Sequence, residues 1–192
     1  EFYKKAIDLE PQNEEIYTNL SKSLIAIEKF DDAIKYLETA ISINNTNPDA
    51  YFNLGLAFSE KKLVETGIKN FNIALEQQKN FPECYYNLGN VYLNTGDSKE
   101  AIIYYNKALG LNKYYYKALN NKGVAYIQLH NFEEAIKHFN QALTIKTDYP
   151  EALSNLGIAF MEKKEFEKAL EYFNRALKIN ENFFNAYVQK LF

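Results

Sequence analysis

An all-α architecture, an α-solenoid of antiparallel helix hairpins, is what this sequence predicts, and three observations carry the prediction. The 192-residue chain repeats itself at an offset of 34 residues. Within each period, apolar residues recur at spacings of three and four in two runs separated by a short polar break, the pattern of two amphipathic helices. The four prolines, Pro11, Pro48, Pro82 and Pro150, all fall at the seams between periods, where a first helical turn tolerates a missing N–H.

The offset is read directly from Tyr51-Phe52-Asn53-Leu54-Gly55, Tyr85-Tyr86-Asn87-Leu88-Gly89, Leu119-Asn120-Asn121-Lys122-Gly123 and Leu153-Ser154-Asn155-Leu156-Gly157, with Tyr17-Thr18-Asn19-Leu20-Ser21 ahead of them. Residues 1–13 read as the second-helix remnant of a preceding repeat, and 184–192 as the start of a following one. Between them stand five complete units, 14–47, 48–81, 82–115, 116–149 and 150–183. In unit 82–115, Tyr85, Leu88, Gly89 and Tyr92 mark the first helix, Asn94-Thr95-Gly96-Asp97 the turn, and Ala101, Tyr105, Ala108 and Leu109 the second helix. The chain starts without Met and inside a repeat, so it is expected to be a piece of a longer protein.

These columns resemble the tetratricopeptide repeat (TPR) family, whose pattern is aromatic-x2-Leu-Gly-x2-aromatic, then Ala-x3-aromatic and a later Ala. The later small column is Ala6, Ala40, Ala74, Ala108, Ala142 and Ala176 without exception. The second-helix ring column is Tyr3, Phe71, Tyr105, Phe139 and Phe173, with Leu37 the one substitute. Because one hairpin cannot bury its own apolar stripe, rings of one unit are expected to fill gaps that small residues leave in its neighbour. The resemblance implies a right-handed superhelix with the first helix of each unit on the concave side.

Composition closes off several function classes. The formal net charge is −3 with acidic and basic residues intermixed, and Arg175 is the only arginine, so neither a basic face nor guanidinium forks exist for nucleic acid. Cys84 is the only cysteine, which excludes an internal disulfide; it shares its column with Ala50, Ala118, Ala152 and Ala186, so it is expected to be a small buried residue. No apolar run is long enough to span a bilayer. His130 and His138 have no third partner at metal-ligand or catalytic spacing and are expected at the surface. The pairs Lys61-Lys62 and Lys163-Lys164 fall at turns and are expected to be solvated. The chain is thus expected not to be an enzyme, to need no cofactor or metal, to contact neither nucleic acid nor membrane, and to work in the cytoplasm or nucleus.

The functional signal is a column on the first helix: Asn19, Asn53, Asn87, Asn121 and Asn155. A carboxamide offers two donors and an acceptor, so a row of them can pair with the backbone of an extended peptide without reading its side chains. The column looks like the asparagine ladder of the repeat array in O-GlcNAc transferase. One turn earlier stand Glu15, Asp49, Glu83, Lys117 and Glu151, acidic except at Lys117. The alternative use of the asparagines is hydrogen bonding from helix to helix. Beside the ladder, Phe52 and Tyr86 are the preferred side-chain anchors, with Leu56, Val124 and Ile158 and, farther along, Ile25, Leu93, Ile127 and Met161 as apolar contacts. Family members that grip acidic chaperone tails carry Lys or Arg here, whereas this chain has Asn90 where the clamp's Arg would stand. Its peptide is therefore expected to be extended and not strongly acidic.

The expected function is a protein-interaction module with candidate binding residues Asn19, Asn53, Asn87, Asn121, Asn155, Phe52, Tyr86, Asn90, Glu83 and Glu151. The alternative is a structural scaffold that uses its convex face or repeat ends; a more distant one is the substrate-recruiting region of a larger enzyme such as a glycosyltransferase. Unit 48–81, with Gly67 for Ala and Gln77 for Leu or Ile, is expected to be the softest. The end remnants, Phe2, Tyr3, Ala6, Ile7 and Leu9 at one side and Phe184, Tyr187, Leu191 and Phe192 at the other, predict weak end-to-end self-association.

Overall fold

A computed structural model describes residues 2–180, and the second remnant, 184–192, lies outside them. Among the described residues there are eleven helices and no strand: α1 (Phe2–Leu9), α2 (Glu14–Ala26), α3 (Phe30–Ile43), α4 (Pro48–Glu60), α5 (Val64–Gln77), α6 (Pro82–Asn94), α7 (Ser98–Leu111), α8 (Tyr116–Gln128), α9 (Phe132–Ile145), α10 (Pro150–Glu162) and α11 (Phe166–Ile179). They pair as successive hairpins, α2 on α3, α4 on α5, α8 on α9 and α10 on α11. The chain divides into two compact units, Glu1–Val91 and Tyr92–Phe192, with the division falling inside α6.

Helix starts follow from local chemistry. The Asn13 side chain accepts from the Glu15 N–H at α2, and Asn47 accepts from Asp49 and Ala50 at α4, where Pro48 supplies the first turn. Asp97 and Asn131 do the same for Glu100 and Glu134 at α7 and α9. Helix ends inside the hairpins share one geometry. The N–H groups of Lys29, Leu63, Asp97, Asn131 and Glu165 reach back to the carbonyls of Leu24, Phe58, Tyr92, Tyr126 and Phe160, each at 2.9 Å. This closure requires the residue just before each donor to be left-handed, and Glu28, Lys62, Gly96, His130 and Lys164 all have φ between 56° and 86°.

Only Gly96 in that column lacks a Cβ, and an L side chain there costs roughly 1–2 kcal/mol. Lys62 is exposed, so Lys62→Gly should raise stability by about 0.5–1 kcal/mol. Gly96→Ala should lower it by a similar amount. Urea unfolding of the two variants checks both signs.

The hairpin interior is built on rings seated against glycines. A Cβ placed on Gly55 would stand 2.7 Å from Cδ1 of Phe71; on Gly123, 2.5 Å from Cε1 of Phe139; on Gly157, 2.6 Å from Cε1 of Phe173. Each ring therefore occupies the space of a missing side chain in its own hairpin, in addition to the expected packing of rings against small residues of the neighbouring unit. Neighbours still contribute: Phe139 also packs with Leu156 and Ala159 of the next first helix. In the Glu1–Val91 unit, Leu37 and Ala40 pack with Ala50 and Leu54 in the same way, and Ile7 of the N-terminal remnant covers part of that cluster. Leu9 is 82% exposed.

Gly67 has its own reason. A Cβ there would meet Oγ of Ser59, which is turned onto the carbonyl of Gly55 at 2.8 Å. Where other units pair a bulky apolar residue with alanine, this unit pairs Ser59 with Gly67.

The turn lysines divide two by two. Lys62 and Lys164 are exposed, whereas Lys61 bonds Asp31 and Lys163 bonds Glu133 at 2.9 Å, each tying the end of a first helix to the start of the preceding second helix. The expectation that all four are simply solvated is corrected for Lys61 and Lys163. The hydrogen bond from Lys61 lowers the pKa of Asp31, and that from Lys163 lowers the pKa of Glu133. Both pairs sit at the surface and are screened by solvent.

Candidate functional site

The ladder column occupies the first helices, but its members are not equivalent. In the Glu1–Val91 unit, Asn19 is exposed and its amide makes no hydrogen bond among the described residues. Asn53 is 3% exposed, and Nδ2 donates to the carbonyl of Asp49 at 2.7 Å. Asn87 is half-buried, with Nδ2 on the carbonyl of Glu83 at 2.8 Å. Both amides thus bond the carbonyl one turn earlier in their own helix, which leaves the amide oxygen as the remaining acceptor.

In the Tyr92–Phe192 unit the amides meet one another. Nδ2 of Asn155 donates to Oδ1 of Asn120 at 3.0 Å, and Nδ2 of Asn120 donates to Oδ1 of Asn121 at 3.0 Å. This chain joins α10 to α8, so here the helix-to-helix use of the column is realised. It depends on Asn120, buried in the column that elsewhere holds Thr18, Phe52, Tyr86 and Ser154.

The neighbouring candidates are similarly mixed. Glu15, Asp49, Glu83, Lys117 and Glu151 are all exposed. Glu15, Asn19 and Asp49 line one polar cleft of about 310 Å³ with Thr18, Lys22 and Asn47, and Lys22 Nζ stands 3.9 Å from Asp49. Phe52 is half-buried, its centroid 5.8 Å from that of Phe71 and 4.9 Å from that of Phe81, so much of the ring is already committed to packing. Tyr86 and Asn90 are half-buried, as are Leu56, Val124, Ile158, Ile25 and Ile127, while Leu93 is buried and Met161 exposed.

His130 is exposed as expected, but His138 is 6% exposed, which corrects its assignment to the surface. Its ring stacks on Tyr126 with centroids 5.4 Å apart and planes at 12°, and Nδ1 is 2.8 Å from Oε1 of Gln141. An amide oxygen only accepts, so the neutral ring carries its proton on Nδ1. The corresponding second-helix residues Tyr104 and Tyr172 stack in the same way on Tyr92 and Phe160, and His138 takes that aromatic seat.

Burial, with the Lys122 charge next in size, pushes the His138 pKa below its ordinary value. The unfolded chain therefore binds the extra proton first, and stability present above about pH 6.5 is lost as pH falls toward the lowered folded pKa. Urea unfolding at mildly acidic and neutral pH should show a smaller acid loss for His138→Tyr than for the parent. An equal loss in both proteins would contradict the assignment.

Lys122 is the other residue that column reading passed over. It stands where the other units have Leu20, Leu54, Leu88 and Leu156, is half-buried, and lies 6.0 Å from the Tyr126 ring centroid. Desolvation lowers its pKa from the ordinary lysine value. The signal was present in the sequence as one cation in an otherwise uniform leucine column.

Among the described residues no three His, Cys, Asp or Glu side chains gather as metal ligands, and no helix is long and apolar enough to cross a membrane. Successive helix hairpins with a ring-on-glycine interior define a repeat solenoid. Tetratricopeptide repeat family models match residues 22–62, 82–115 and 114–182, together well over half of the chain. The chain belongs to the tetratricopeptide repeat family, a family of protein-interaction modules.

No curated protein matches the sequence. Among solved structures, the chain is similar to a MamA protein at 23% identity and TM-score 0.73, over 88% of this chain and 92% of that one. It is also similar to YrrB, described as a TPR protein with an unusual peptide-binding site, at 23% identity and TM-score 0.71, over 100% and 99%. A third likeness is to the APC/C hetero-tetramer Cut9-Hcn1, at 19% identity and TM-score 0.83, over 95% of this chain and 36% of that one. At these identities the likeness is one of fold.

Proposed function

We propose that this chain is a protein-interaction module whose first helices hold an extended, not strongly acidic peptide segment, with the ladder asparagines contacting its backbone. The observation that carries the proposal is the cleft around Asn19. An exposed carboxamide with no hydrogen-bond partner among the described residues stands there beside Glu15, Asp49 and Lys22, in the column where Asn53 and Asn87 keep their amide oxygens as acceptors. In the other unit, Asn121 and Asn155 belong to the inter-helix amide chain, and Asn53 is 3% exposed, so peptide contact is weighted toward Asn19 and Asn87. Glu83 and Glu151 add exposed acidic groups, and Phe52, Tyr86 and Asn90 adjoin the column. The resemblance to the asparagine ladder of O-GlcNAc transferase and the peptide-binding site named for YrrB both agree with this reading.

Each hydrogen-bonded rung contributes a net ~0.5–1.5 kcal/mol before association entropy, so the binding is weak unless side-chain contacts add to it. The test is selection from a displayed peptide library, followed by titration with Asn19→Ala and Asn87→Ala. The Asn19 side-chain amide bonds nothing among the described residues, so its replacement should weaken peptide binding by about threefold to tenfold while leaving the melting temperature in place. Undiminished affinity in the double variant would exclude the ladder as the contact.

A second reading has its own observation. The second helices present exposed apolar side chains, Ile103 at 45%, Ile145 at 38%, Phe166 at 65% and Leu170 at 61%. Such surface suits a scaffold that assembles a complex through its second helices. Selected peptides that bind unchanged after the asparagine substitutions, and are lost after Ile103→Glu, would favour it. Recruitment of substrate for an attached enzyme such as a glycosyltransferase is a use of the same peptide-binding surface.

A further inference from the structure

The Tyr92–Phe192 unit contains a cavity of about 470 Å³ bounded by α7, α8, α9 and the turn at Lys113 and Tyr114. Leu109, Leu119 and Ile145 give it an apolar part, Tyr114 and buried His138 add rings, and Asn106, Gln141 and Thr144 add neutral polar groups. Lys122 and Lys113 line it, and no aspartate or glutamate does. In a chain of net charge −3, this is a local excess of positive charge.

Lys122 Nζ makes no hydrogen bond and has no carboxylate within ion-pair distance among the described residues. The nearest acid that acts on it, Glu134, is held by Lys137 at 3.0 Å and lies 3.6 Å from Nε2 of His138. A half-buried ammonium in the leucine column loses hydration and gains only the distant face of the Tyr126 ring, not a paired carboxylate, a state that is costly unless something else supplies the counter-charge. Burial also lowers its pKa from the ordinary lysine value. The cavity is open to solvent on the side of Tyr114, which is 64% exposed, so a ligand enters without displacing protein.

We infer that this cavity binds a monocarboxylate with an aryl or alkyl body, the carboxylate paired with Lys122 and the body against Leu109, Leu119 and Ile145. Lys113, whose Nζ lies 4.9 Å from the Tyr114 ring centroid, adds a second cation at the rim. The site involves none of the ladder residues, so it stands independently of the peptide reading. The carboxylate is either that of a free small acid or the C-terminal group of a peptide ending in an apolar residue.

The test is an NMR titration that follows the His138 ring and Tyr114 signals. The probes are 3-phenylpropanoate and its amide, together with a hexapeptide ending in phenylalanine as free acid or as amide. Saturable shifts with at least one acid are expected, and its amide should bind roughly tenfold or more weakly, the usual scale of a hydrogen bond to a buried charge. The acid that binds more tightly identifies the source of the carboxylate. Lys122→Met, which keeps length in a column that accepts leucine, should lower affinity for the acid by a similar factor while melting at or above the parent temperature. The inference is overturned if neither acid shifts these signals saturably at millimolar concentration, if acid and amide bind alike, or if Lys122→Met binds as the parent does.

Discussion

Phe139→Ala is expected to remove about 3–5 kcal/mol of stability, the range for deleting a fully buried ring. Phe139 is 0% exposed and lies between Gly123 of its own hairpin and Leu156 of the next first helix. The physically sharper experiment leaves an apolar side chain in place and tests the seat itself. Gly123→Ala alone puts a Cβ 2.5 Å from the ring and should cost about 1–3 kcal/mol from overpacking, partly offset by the ~1 kcal/mol helix preference of alanine over glycine. Phe139→Leu alone opens a gap and should cost about 1–2 kcal/mol.

Together the two changes should cost less than their sum, and the chain itself shows why. In unit 14–47 the ring column holds Leu37, and the glycine column holds Ser21, whose Oγ has room to bond the carbonyls of Tyr17 at 2.7 Å and Ala33 at 3.2 Å. Where the ring is absent, a side chain on the facing position is accepted. A double-mutant cycle by urea unfolding should therefore return a favourable coupling of about 1–2 kcal/mol. Additivity within about 0.5 kcal/mol would show that ring and glycine are not one packing unit.

The same pair shows why the fold is legible in the sequence while the site is only partly so. The later alanine column recurs in every unit and the ring and glycine columns in all but unit 14–47, and each occurrence repeats one steric requirement, so helix placement follows from spacing. The ladder column repeats just as strictly, yet Asn19 is exposed and Asn53 is buried. A carboxamide is satisfied by whatever stands nearest, and that changes from unit to unit. Asn155 bonds Asn120 because that neighbouring position happens to hold an amide, whereas its equivalents are Thr18, Phe52, Tyr86 and Ser154. His138 escaped because a lone histidine is read by its own polarity and not by its column, which holds Tyr36, Tyr104 and Tyr172 beside Asn70. The left-handed residues Glu28, Lys62, His130 and Lys164 carry no glycine to announce them, since the hairpin closure imposes their backbone and the side chain only tolerates it.

Cys84 offers the largest kinetic effect. It is 0% exposed, its Sγ lies 3.4 Å from the carbonyl of Phe71, and burial pushes its pKa up to about 12. An ordinary thiol near pKa 8.5 is roughly one-tenth thiolate at pH 7.5, so the shift alone reduces the reactive species by about three orders of magnitude. Exclusion of reagent slows reaction further, and labelling should then proceed only when this part of the Glu1–Val91 unit opens. With Ellman's reagent, the native chain should react about a thousandfold or more slowly than in denaturing urea. Phe71 is also fully buried, so Phe71→Ala should speed the native reaction by weakening the packing around the thiol. A native rate close to that in urea would place Cys84 at the surface and end this account of it. Slow labelling accelerated by Phe71→Ala would mean that the sole cysteine is an inert occupant of an alanine column, and that its chemistry reports the stability of the hairpins and not a redox function.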